Sequence, residues 1–284
     1  MPSSYAALAE YMDDEAENIE VLVLGSSQMK SGINPEYISQ PTLNLAAGNQ
    51  HHDTDFKLLK QLIDRFPKLQ TVVLETSYSH FELPHNGKRF WKNVIYLQYY
   101  GVNAFERPTY FKDRLIYLAN PSFYSERLLD SYSDERRRYG FNSFGYDTLN
   151  FPGTFKNLQY DEKRIADLEI FKINTIPDAL IFQENTALFH EMLSFLEAHE
   201  IQVVLCQPPM YKTYLPRRNP NILRRRDSVV RAAANHYPNV SVFALETDTL
   251  AFSVRDFWNQ SHVNPRGGKT FSRLLDTHLQ SLYP

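Results

Sequence analysis

Short apolar runs recur along the chain, each ending where small or polar residues take over: 19–24 (IEVLVL), 42–45 (TLNL), 71–74, 201–206 (IQVVLC) and 240–244. Runs of this length bounded by turn formers read as strands, and 19–24, ending at Gly25-Ser26-Ser27, as one buried in a sheet. Between them the period changes. Residues 53–66 carry Phe56, Leu58, Leu59, Leu62, Ile63 and Phe66 at helical spacing, and 178–199 is amphipathic in the same way. A further helix is expected around 221–236. A last one starts at Asn264-Pro265, an N-cap followed by proline at the first helical position, and runs to about Leu282. Asn34-Pro35-Glu36 carries the same start signal and predicts a helix after the first strand. The alternation predicts an α/β fold, a doubly wound five-stranded parallel sheet of flavodoxin type with crossover helices.

The rhythm breaks over residues 80–175, which hold much of the aromatic content (Tyr96, Tyr99, Tyr100, Tyr110, Phe111, Tyr117, Phe123, Tyr124) and the basic run Arg136, Arg137, Arg138. This stretch is read as a large, mainly helical insertion or cap within one domain spanning 1–284. Its aromatics are expected in the core, with some tyrosines at a cleft mouth where sugar rings stack.

Composition narrows the function classes. A hydrophobic share of 43% with 22% charged residues is that of a globular chain able to bury a core. The net charge of −3 provides no field to draw nucleic acid, so no nucleic-acid partner is expected. No stretch is apolar enough over its length to predict a transmembrane segment, and MPSSYAALAEYMDDEAEN lacks the pattern of a secretory leader. Cys206 is the single cysteine, which excludes an intramolecular disulfide and favours a reducing compartment. As written, the sequence points to the cytoplasm; a removed anchor or signal would place it in the periplasm or outside the cell. Neither a P-loop nor a G-x-G-x-x-G occurs, and no cofactor is expected. Nothing in the sequence sets the oligomeric state.

In doubly wound sheets ligands sit beyond the carboxyl ends of the strands. Ser26 and Ser27 follow the first strand. Asn44, Gly48 and Asn49 follow the second, and Glu75, Thr76, Ser77 and Tyr78 the third. A long loop after the last strand carries Asp256, Asn259 and His262 to the start of the final helix. A serine hydroxyl, a glycine amide and a late histidine therefore converge on one edge. A hydroxyl is a poor nucleophile at neutral pH until an imidazole at hydrogen-bond distance takes its proton.

Gly25-Ser26-Ser27, Asn44-Leu45-Ala46-Ala47-Gly48 and Asn259-Gln260-Ser261-His262-Val263-Asn264 resemble the motifs of the SGNH (GDSL-like) hydrolases and their acyltransferase relatives. The resemblance covers about residues 19–79 and 177–282. It is nearest to the branch of polysaccharide O-acyltransferases and D-alanyl transfer proteins, where Gly-Ser-Ser often stands for Gly-Asp-Ser and a Pro-Pro-x-Tyr loop, here Pro208 to Tyr211, recurs. It implies Ser27 as nucleophile, His262 as base and Asn259 behind the base. The oxyanion donors would be the amides of Ser27 and Gly48 with Ser77 in the third position, and Asn49, Tyr78 and Tyr211 would contact substrate. The implied substrate is a carbohydrate or polysaccharide ester, O-acetyl in the first instance, with the acyl group passing from Ser27 to water or to a sugar hydroxyl.

Two positions depart from the family pattern. Asn259 stands where the family has an aspartate, and the same exchange in a serine-protease triad costs about 10⁴ in rate. Ser77 stands where an asparagine commonly donates to the oxyanion. Together they motivate an alternative from another class, a catalytically degenerate glycan-binding or assembly protein. Asp256 is a conceivable stand-in carboxylate. His51-His52-Asp53 invites a metal reading, set against the fact that adjacent helical positions do not face one another, and none is expected there. Arg217, Arg218, Arg224, Arg225 and Arg226 form a basic cluster, either a solvated face or a contact for an anionic glycan or phosphate.

Overall fold

The computed structural model describes residues 3–132, 140–169 and 175–283; Arg136, Arg137 and Arg138 lie outside the described residues. Strands β1 (Val21–Leu24), β2 (Thr42–Asn44), β3 (Thr71–Glu75), β4 (Gln202–Gln207) and β5 (Val240–Ala244) form one parallel sheet in the order β2-β1-β3-β4-β5. Each lies within two residues of its apolar run. Order reverses between β1 and β3, so the crevice that such sheets offer to ligands lies beyond Leu24 and Glu75.

Helices α1 (Ser4–Glu15), α2 (Ser27–Gly32) and α3 (His52–Leu62) precede β3 or connect the first strands. The segment between β3 and β4 contains α4 (Asn93–Ile95), α5 (Ile116–Ala119), α6 (Pro121–Tyr132), α7 (Thr154–Asn157) and α8 (Glu162–Ala166), then α9 (Ala179–Ala198). The insertion is therefore helical in short pieces. Two longer helices, α10 (Pro220–His236) and α11 (Pro265–Leu282), complete the chain.

Alternation along the strands splits the core in two. Leu22, Leu24, Val72, Leu74, Val203 and Leu205 face a layer built with α1, α3 and α9, whereas Val21, Val23, Val73, Val204 and Cys206 face α2 and α11. Each fully buried aliphatic side chain contributes about 1.5–3 kcal/mol. Tyr96 and Tyr100 from the insertion join the first layer, while Tyr110, Phe111 and Tyr117 are exposed.

Two local departures from the sequence reading have plain causes. The expected helix at Asn34 is only a three-residue 3-10 turn over Pro35–Tyr37; the helix after β1 begins at Ser27, because the Ser26 hydroxyl accepts from the Gln28 amide and caps it. Helix α1, unread in the sequence, is capped by Ser3 and buries Leu8 and Met12.

Packing of α2 on α11 positions the candidate site. A Cβ at Gly32 would lie 2.6 Å from the Phe271 ring, so the glycine permits the close approach. The Ser272 hydroxyl accepts from the Asn34 amide at 2.8 Å and donates to the Gly268 carbonyl. Asn264 caps α11 by accepting from the Arg266 and Gly267 amides, and its side-chain amide donates to the Arg255 carbonyl. The loop before α11 is pinched by an antiparallel bridge between Phe257 and Val263, with the Trp258 amide donating to the His262 carbonyl at 2.9 Å.

Candidate active site

The turn after β1 is set by Gly25 and Glu75. Gly25 has φ of 138°, and a Cβ there would meet the Glu75 side chain at 2.7 Å. The Glu75 carboxylate accepts from the Ser26 amide at 2.6 Å and from the Ser26 hydroxyl at 3.0 Å. Ser27 is thereby held as the first residue of α2, where a helix leaves its amides without intrahelical partners.

The Ser27 Oγ lies 2.7 Å from His262 Nε2, although 235 positions separate the two residues. Gln28 Nε2 donates to the Ser261 carbonyl at 2.8 Å, tying α2 to the histidine loop. Behind the ring, His262 Nδ1 is 3.0 Å from the Ser261 Oγ and 3.3 Å from the Asn259 Oδ1. Asn259 Oδ1 also accepts from the Ser261 and His262 amides, at 2.9 and 3.0 Å, which closes the turn. Burial lowers the His262 pKa, with the Glu75 charge opposing weakly, so the ring is neutral at pH 7 and able to accept a proton. Neutral oxygens, not a carboxylate, stand behind it. Asp256 does not fold back: its carboxylate accepts from the Ser253 amide and hydroxyl and pairs with Arg266 at 3.0 Å.

Gly48 adjoins the serine, since a Cβ on it would stand 3.8 Å from the Ser27 Cβ. The same Cβ would lie 3.3 Å from the Lys92 ammonium, which donates to the Gly48 carbonyl. Lys92 is buried beside the Phe90 and Trp91 rings. Burial, and then the charge of Lys30, pull its pKa down to about 7. Sequence reasoning missed Lys92, because nothing in Phe90-Trp91-Lys92 says that the insertion folds back onto the Gly48 loop.

Other predicted residues fall differently. Ser77 is buried and its hydroxyl serves the Glu75 carboxylate. Tyr78, read as a cleft residue, is buried among Met210, Tyr214 and Ile222, and its hydroxyl accepts from the Asn219 amide at 2.6 Å. Tyr211 is also buried, against Phe155 and Phe257, and borders a cavity of about 190 Å³ lined with Phe252 and Val254 rather than the serine. Asn49 is exposed, with φ of 60°. The basic cluster divides: Arg217 and Arg224 are exposed, whereas Arg218 and the buried Arg226 both reach the buried Glu246, at 2.7 and 2.6 Å, Arg226 donates to the Thr76 carbonyl, and the half-buried Arg225 pairs with Glu82.

Glu75 is the residue the sequence underrated. It is fully buried, which alone would raise its pKa, but His80, the Ser77 hydroxyl and the Ser26 amide outweigh burial and hold the carboxyl at about 2. A charged residue ending an apolar strand beside a Gly-Ser-Ser turn was the available signal.

The fold and site together define a doubly wound α/β chain of flavodoxin strand order with a serine–histidine pair at its switch point. No family model and no curated protein matches the sequence. Among solved structures, the chain is similar to a protein from Streptococcus pneumonia provisionally described as a platelet activating factor, with 9% identity, TM-score 0.44, and coverage of 96% of this chain and 91% of that one. It is also similar to a provisionally assigned acylhydrolase from Bacteroides fragilis, with 11% identity, TM-score 0.42, and coverage of 98% and 97%. No helix among the described residues is long and apolar enough to cross a membrane.

Proposed function

We propose that this chain is an SGNH-like serine esterase or acyltransferase acting on a carbohydrate ester, in the first instance an O-acetyl group on a polysaccharide. Ser27 attacks the ester carbonyl as His262 Nε2 takes its proton; the tetrahedral oxyanion forms against the Ser27 and Gly48 amides. His262 then returns the proton to the leaving alcohol, and the acyl-Ser27 ester passes to water or a sugar hydroxyl. The observation carrying this reading is the 2.7 Å approach of Ser27 Oγ to His262 Nε2, a distance suited to proton transfer. Each oxyanion donor of this kind is worth about 2.7–4 kcal/mol of barrier. With Ser77 committed to Glu75, the Lys92 ammonium beside Gly48 adds positive potential next to the Gly48 amide.

A second reading, a glycan-binding or assembly protein that has lost turnover, is favoured by one observation: among the described residues, the oxygens that contact His262 Nδ1 are neutral. Hydrolysis of an aryl acetate, with and without Ser27→Ala, separates the two. Hydrolysis that disappears in Ser27→Ala supports the enzyme; no hydrolysis, with glycan binding retained, supports the alternative.

A further inference from the structure

Around Glu75, which also holds the Ser26 turn, lies a cluster that the proposed reaction does not use. His52 and Asp55 occupy the first turn of α3, and His80 follows β3 in a 3-10 turn. All three are at most 2% exposed. One donor atom from each lies within 4.8 Å of those of the other two.

Their outward atoms are all engaged. His52 Nε2 is 2.9 Å from the Glu75 carbonyl oxygen, which can only accept, so that nitrogen carries the hydrogen. His80 Nδ1 faces the Glu75 carboxylate at 3.6 Å. Asp55 Oδ1 accepts from Gln50 Nε2 at 2.7 Å, and Gln50 Oε1 in turn accepts from the Tyr96 hydroxyl at 2.6 Å. What remains are His52 Nδ1, His80 Nε2 and Asp55 Oδ2, all buried and without a hydrogen-bond partner among the described residues. With its Nε2 protonated, His52 presents a lone pair at Nδ1, and metal binding takes the deprotonated forms of His80 and Asp55, releasing any proton the empty cluster holds. Three buried polar atoms are thus left without a partner among the described residues, at a cost that such groups rarely bear.

We infer that His52 Nδ1, His80 Nε2 and Asp55 Oδ2 form a binding site for a divalent transition-metal ion of the zinc class. Two imidazole nitrogens and one carboxylate oxygen are a donor set that suits such ions. A divalent cation gives all three atoms a partner at once. Each ligand also has the outer support expected of a metal site, a carbonyl or carboxylate on each imidazole and a side-chain amide on the aspartate. Zinc bonds of about 2.0–2.2 Å place ligand atoms some 3.4 Å apart, so binding draws the three inward. The set shares only His52 with the adjacent run His51-His52-Asp53, since Asp55 sits one turn on and His80 arrives from another element. Its burial means the ion enters as the chain folds. Because both imidazoles hold Glu75, and Glu75 holds Ser26, the ion would stiffen the serine turn without touching substrate.

The test uses the full chain without an affinity tag, refolded with zinc sulfate or with a chelator and then desalted. Elemental analysis should give about one zinc per chain, and cobalt in its place should produce the visible bands of a four-coordinate site. Anomalous diffraction at the zinc edge should put a peak between the three atoms. Asp55→Asn should lower metal retention about tenfold or more. Should Asp55→Asn fail to fold, the anomalous map on the unaltered chain decides alone. Less than about a tenth of an ion per chain after refolding with zinc, a peak elsewhere, or an ordered water at this position would overturn the assignment.

Discussion

Replacing Asn259 by aspartate tests the electrostatics of the site with almost no change of shape. Asn259 Oδ1 already accepts from two backbone amides and stands 3.3 Å from His262 Nδ1. An aspartate there keeps those bonds and adds a full negative charge at the point where an imidazolium would form. At 3.3 Å and an effective dielectric constant of about 20, a unit charge pair is worth about 5 kcal/mol. The reverse exchange in a serine-protease triad, about 10⁴ in rate, corresponds to ~5.4 kcal/mol. Solvent at the mouth of a partly buried site trims the gain, so Asn259→Asp should raise kcat/KM on an aryl acetate by about 10²–10³ at pH 8. The sign of the pH effect is also fixed. Burial lowers the His262 pKa in the unaltered chain; the new carboxylate raises it, and since only the neutral ring accepts a proton, the acidic limb of the rate profile moves to higher pH. A folded Asn259→Asp variant with unchanged or lower kcat/KM and an unmoved acidic limb would refute the assignment of His262 as base.

Other outcomes follow from neighbouring contacts. With a Lys92 pKa of about 7, activity should fall as pH rises through that value, and Lys92→Met should lose that limb while retaining the acidic one. The same lowered pKa means the unfolded chain holds the Lys92 proton more firmly, so stability should rise from about pH 7 to 10 in the unaltered chain and rise less in Lys92→Met, as read by urea midpoints. Gly25→Ala forces a Cβ into Glu75 at a φ that L-residues avoid; it should cost about 1–3 kcal/mol or more, several degrees in Tm, and slow the reaction by displacing Ser27. Glu246→Gln leaves Arg218 and Arg226 short of a counter-charge in the interior and should cost about 3–5 kcal/mol, lowering the urea midpoint without changing its slope.

The sheet was legible because its signal is local: a strand buried on both faces must be apolar throughout, and the runs ending at Leu24, Leu74 and Cys206 say so in the sequence alone. The pairing of Ser27 with His262 was legible through topology, since both follow strand ends. The helix start at Ser27 was not, because Ser26 competes with the stronger-looking Asn34-Pro35 signal and prevails through its tertiary bonds to Glu75. The burial of Tyr78 and Tyr211 was not legible for a related reason: a tyrosine beside a strand end serves core or cleft equally well, and only the packing of Met210, Phe155 and Phe257 decides. The basic cluster could not reveal which of its arginines turn inward, as Glu246 and Glu82, the partners of Arg218, Arg225 and Arg226, lie elsewhere in the sequence. Lys92 and the His52, Asp55 and His80 cluster depend on contacts between elements that no spacing rule connects.

Exposing the protein to a fluorophosphonate and mapping the adduct by peptide mass spectrometry tests the central claim most directly. The account predicts a single adduct on Ser27 that is abolished by His262→Ala. Labelling on Ser26, labelling that survives loss of His262, or none after prolonged exposure of the folded chain would contradict it.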